Sequence, residues 1–161
     1  MPNAFRDRKN AMTRCSCSRI RWIACAEAGC VYALSVFAIG FVLGAIRVLV
    51  LAPRLGNAVA VALEVPFMLA VSWKLSRWSA SKRGLLTDAS AALLMGIIAF
   101  AVLMFAEFGT AVLCLNRTVE EYFASFLSVP GAIGLAAQLC FAGFPFLQAS
   151  SNRIASSRGT R

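Results

Sequence analysis

The chain of 161 residues contains no histidine and few acids, with seven Asp and Glu against sixteen Lys and Arg. Without imidazole, the commonest metal ligand and the commonest proton-transfer group near neutral pH are both missing. Charge of either sign is scarce, at 14% of residues, where soluble domains carry about 25%. No G-x-S-x-G, P-loop or paired-cysteine redox motif occurs, so neither enzyme activity nor a bound cofactor is expected. Six cysteines are present, Cys15, Cys17, Cys25, Cys30, Cys114 and Cys140. Cys15-Ser-Cys17 has no second half at zinc-site spacing, and reduced thiols in a cytosolic tail are the plainer reading.

What is abundant is apolar surface. Hydrophobic residues make up 60% of the chain, and a protein this small cannot hide them all in one water-soluble core. The surplus is expected to face lipid. Apolar runs cover 31–52, 57–73, 89–115 and 129–147, and a spanning helix needs about 20 residues. The second run is at the short limit and the third is long enough to tilt. The expected fold is all-α, a polytopic bundle of four transmembrane helices over 28–148. A basic tail, 1–27, partly disordered or interfacial, precedes it, and a second tail, 149–161, follows.

The first run is longer than the h-region of a cleaved signal peptide and lacks an A-x-A-like site after it, so it reads as a signal anchor. Met12 is an alternative start that leaves this topology unchanged.

Basic residues set the orientation. Arg6, Arg8, Lys9, Arg14, Arg19 and Arg21 precede the first span; Lys74, Arg77, Lys82 and Arg83 lie in the 74–88 loop; Arg153, Arg158 and Arg161 follow the last span. With four spans these share one side, and the positive-inside rule makes it the cytoplasm, so both termini are inside. Arg47, Arg54, Arg117, Glu120 and Glu121 belong to the other side. Trp22, Trp73, Trp78 and Tyr122 fall near the expected interfaces, as aromatic belts do. The net charge of +9 is thus accounted for beside a bilayer, and with no binding motif nucleic acid is not an expected partner. The segment 14–27 mixes Arg with Ile and Trp, a pattern that suits an anionic leaflet, although topology signalling alone explains its charges.

Ionisable residues inside spans call for a named partner. Arg47, Glu64 and Glu107 are three such residues, with Gln138 as the neutral counterpart. Pro53-Arg54-Leu55-Gly56 forms a short turn that folds the first two helices into a hairpin. Reflecting Arg47 through it lands about two residues from Glu64, an axial offset of roughly 3 Å, which predicts an ion pair. Glu64, Glu107 and Gln138 all fall roughly 10–14 Å below the outer face, so a buried Arg/Glu polar layer is expected there.

Small residues share their stripes. Gly40-x-x-x-Gly44 precedes Arg47 by one turn, a pattern for close helix contact within the bundle, with a second copy or with another membrane protein. Pro66, two residues after Glu64, should kink the second helix by removing a hydrogen bond and crowding the carbonyl of Ala62. Two carboxylates against one guanidinium leave one charge unmatched. The layer reads either as packing glue in a structural or accessory protein or as a cation or proton path in a small transporter, and the sequence favours the former.

The stretch Gly44-Ala-Ile-Arg-Val-Leu-Val-Leu-Ala-Pro-Arg-Leu-Gly56, followed by Leu63-Glu-Val-Pro-Phe-Met-Leu-Ala-Val-Ser-Trp73, resembles an uncharacterised family of small four-span membrane proteins of alphaproteobacteria. The resemblance implies the A-P-R-x-G turn, the E-x-P motif and a multi-pass inner-membrane topology, and it carries no activity. Gly40-x-x-x-Gly44-Ala-x-x-Arg47 is also similar to the first helix of the small fluoride channels, whose later Asn and Phe/Thr signatures have no counterpart here. The small multidrug exporters also have four helices and an essential membrane Glu, but carry it in the first helix, where this chain has Arg47 as its ionisable residue.

Overall fold

The chain is described by a computed structural model over residues 3–158, with side chains over 21–152. Helix α1 runs Asn3–Ile46 and passes through a wide π turn, Arg47–Leu51, into the short α2, Ala52–Leu55. Helix α3 covers Asn57–Lys82, α4 Ala89–Leu113, α5 Val119–Ser125 and α6 Val129–Arg158. Among the described residues, four helical stretches are long and apolar enough to cross a membrane: Arg21–Leu55, Asn57–Lys82, Ala89–Leu113 and Val129–Asn152.

Local chemistry sets the ends. Gly56 at φ +79° and Gly84 at φ +66° supply backbone conformations that other residues resist, and they close the α2–α3 and α3–α4 links. Asp88 caps α4, accepting from the Ser90 N–H at 3.0 Å and from its hydroxyl at 2.6 Å. The π turn ends just before Ala52-Pro53, and the Ala52 N–H reaches back to the Arg47 carbonyl. Proline at 53 offers no N–H and crowds the carbonyl of Leu49, which favours this wider register. Helix α3 continues through Pro66 without a break in its assignment.

The helices outrun the apolar runs. Helix α1 extends far ahead of residue 31, α3 reaches Lys82, and α6 continues well past Leu147. Cys25, Gln148 and Ala149 lie beyond the apolar runs and are buried in the packed unit. Hydropathy marks the apolar part of a helix; Arg, Lys, Ala and Ser then carry the same hydrogen-bond ladder onward. Helix α5 went unanticipated, although its capping box is plain: the Glu121 N–H donates to Thr118 Oγ1, and the Thr118 N–H donates to the Glu121 carboxylate.

Helix α1 packs on α3 and α4, and α6 packs on the same two, so the helices form a ring in the order α1, α3, α6, α4. The core is lopsided. Tyr32, Val36, Met95, Ala99 and Phe141 are buried together with Leu85 of the α3–α4 link, towards the end that carries that link. Two glycines set the closest approaches there. A Cβ at Gly29 would lie 2.9 Å from the Met95 carbonyl oxygen, and one at Gly96 would fall on the Ala142 carbonyl.

Candidate polar sites

Arg47 leaves the π turn towards α3, and its Nε lies 2.8 Å from Glu64 Oε2. This is the pairing the hairpin geometry predicted. The Nε–H makes no hydrogen bond, so the contact is an ion pair of imperfect alignment, while Nη1 donates weakly to Asn57 Oδ1 at 3.5 Å.

On α6, Gln138 Nε2 donates to Glu107 Oε2 of α4 at 2.5 Å. Tyr122 of α5 packs edge-on against Phe108 and Phe126, with ring centroids 5.3 and 5.1 Å apart. Burial pushes its phenol above the ordinary range, and the Glu107 carboxylate adds to this. The Tyr122 hydroxyl and Gln138 Oε1 are buried polar atoms without a protein partner.

The four residues therefore form two pairs on opposite edges of the ring, α1–α3 and α4–α6. The single buried layer expected from depth is not what these contacts draw. Arg47 and Glu64 keep 26% and 17% of their side-chain surface exposed, and Glu107 and Gln138 are also only partly buried. Matching depth along the axis says nothing about position around the ring. The turn residues Pro53, Arg54 and Gly56 are exposed. The Gly40/Gly44 pattern makes no close crossing: Gly40 faces the Met68 side chain and Gly44 has no neighbour within 4 Å.

Compared with known families, curated proteins and solved structures, the chain matches none.

The more fully buried polar groups lie towards the other end. The Tyr32 hydroxyl donates to the Phe141 carbonyl at 3.1 Å, and the two rings stack at 4.3 Å across the diagonal of the ring. Ser79 donates to the Ala28 carbonyl at 2.8 Å, Ser76 donates to Gln148 Oε1 at 3.3 Å, and Gln148 Nε2 donates to the Trp73 carbonyl at 2.8 Å. The spacing Ser72, Ser76, Ser79 on one face of α3 was the signal that sequence reading passed over. Two ion pairs finish this end, Arg21 with Asp88 and Arg83 with Glu27. Beside them lie two adjoining cavities of about 270 and 390 Å³ that share Arg21 and Ala91.

Proposed function

We propose that the chain is a four-span protein of the bacterial inner membrane, both termini in the cytoplasm, with a structural or accessory role. The observation that carries this reading is where its apolar surface lies. Helices of spanning length hold large side chains outward, with Phe105 at 78% and Leu113 at 84% exposure, while polar side chains engage one another between helices. Such a surface is unfavourable in water and suited to hydrocarbon, where backbone groups must be satisfied internally, as helices do. The basic residues of the tails and the α3–α4 link support the orientation, and the resemblance of the hairpin motifs supports the inner membrane. Each acid within a span already has a side-chain partner on a neighbouring helix, as packing glue requires.

Cation or proton transport is the second reading. It is favoured by the unpartnered Tyr122 hydroxyl and Gln138 oxygen near Glu107. Membranes washed with alkaline carbonate should retain the protein; its release would overturn membrane residence. Reconstituted in liposomes, it should pass neither protons nor alkali cations. Flux that disappears in Glu107→Gln, with insertion intact, would replace the structural reading by transport.

A further inference from the structure

The two cavities at the linked end of the bundle differ in their walls. The larger lies among Arg21, Arg83 and Asp88, with Ala24, Leu85 and Ala91 as its apolar wall. The smaller opens along the α1–α4 seam, between Trp22 and Cys25 on one side and Ala91 and Leu94 on the other. The two open grooves adjoin at Arg21 and Ala91; Arg21, Arg83 and Asp88 line the larger, and Arg21 is the one charged side chain along the smaller.

The two arginines are held in place by carboxylates and still have donors to offer. Arg21 uses one terminal nitrogen on Asp88 and Arg83 one on Glu27, and a guanidinium has five N–H donors arranged as a fork. Asp88 is further committed to the first turn of α4 through Ser90. The charge beside the grooves is positive: Arg21, Lys82 and Arg83 stand against Glu27 and Asp88. Trp22 is 58% exposed beside the smaller cavity, an indole placed where headgroups meet acyl chains. Lys82 sits over the Trp78 ring, 4.5 Å from its centroid.

We infer that these cavities form a binding site for one anionic phospholipid, its phosphate between Arg21 and Arg83 and an acyl chain along the α1–α4 seam. Basic pockets beside membrane helices bind anionic lipid headgroups. Both guanidinium groups border the larger groove, while Trp22 and Leu94 lie along the smaller, so a headgroup at the first can extend its chain over the second. The inference rests on the membrane reading above but not on the orientation, since binding in detergent is blind to sidedness.

Three tryptophans occur in the chain, Trp22, Trp73 and Trp78, so a W73F/W78F protein reports from Trp22 alone. In non-ionic detergent, phosphatidylglycerol with brominated acyl chains should quench Trp22 at lower concentration than brominated phosphatidylcholine. The preference should be about fivefold for each arginine engaged. Arg21→Gln and Arg83→Gln should each reduce it by about that factor, whereas K74Q/R77Q, which removes charge away from the cavities, should leave it. R21K/R83K retains charge and ion pairs while losing the fork, and should fall between. Equal quenching by the two lipids would overturn the site, as would equal losses in K74Q/R77Q. Full competition by inorganic phosphate would replace the lipid with a free anion. A protein that stays soluble without detergent would instead refute the membrane reading itself.

Discussion

A methyl group added at Gly96 would meet the carbonyl oxygen of Ala142, and backbone cannot move aside as a side chain tip can. Gly96→Ala should therefore force α4 from α6 and destabilise the protein by about 1–3 kcal/mol. Gly44→Ala meets nothing within 4 Å and should be neutral, or stabilising by up to about 1 kcal/mol through helix propensity. Unfolding midpoints in detergent would check both, and a larger loss at Gly44 would point to a contact outside the single chain. Arg47 and Glu64 call for a double-mutant cycle: R47Q, E64Q and the pair together should give a coupling on the order of 1 kcal/mol, the scale of polar contacts between membrane helices. Additive losses would mean that the two do not meet in solution. This pair was legible in the sequence because a short turn fixes which positions of a hairpin stand side by side. Gly29 and Gly96 were not, since they lack a glycine partner four residues away and their importance comes from neighbouring backbones.

At the scale of elements, the packing runs from tight to loose along the bundle. Helix α4 buries Ala91, Ala92, Met95, Gly96 and Ala99 near its start, and its last turns are mostly half-exposed. Hydrogen exchange in detergent should be on the order of tenfold slower for amides 95–103 than for 109–113, because openings begin where few buried contacts resist them. Equal protection would show that the looser half is held by something absent from the single chain. Helix α5 depends on one residue, and Thr118→Ala should remove its cap at about 1 kcal/mol, seen as faster exchange confined to 119–126. Hydropathy located all four long helices because long apolar runs permit little else. It could not reveal that Cys25 and Gln148 belong to the core, since packing among helices leaves no mark on mean hydropathy.

For the whole molecule, orientation is carried by charge distributed along the chain. Alkaline phosphatase, active only outside the cytoplasm, should be inactive when fused after Arg83 and active when fused after Arg117; the reverse pattern would invert the topology. The ring order was beyond the sequence, because residues at one depth can stand on opposite edges, as Glu64 and Glu107 do.

The hairpin formed by α1 and α3 has a consequence for biosynthesis. On the membrane reading proposed above, a link as short as Pro53–Gly56 would give neither limb room to enter a bilayer far ahead of the other, and the two are expected to insert as one body. A lone arginine within a span raises the cost of translocon-mediated insertion, by up to about 2.5–3.5 kcal/mol at the helix centre. With Glu64 beside it, Arg47 would enter as half of a neutral dipole, and the leading bend would carry only Arg54 across uncovered. On that reading the ion pair would act first as a disguise presented to the insertion machinery, before there is a bundle for it to hold together.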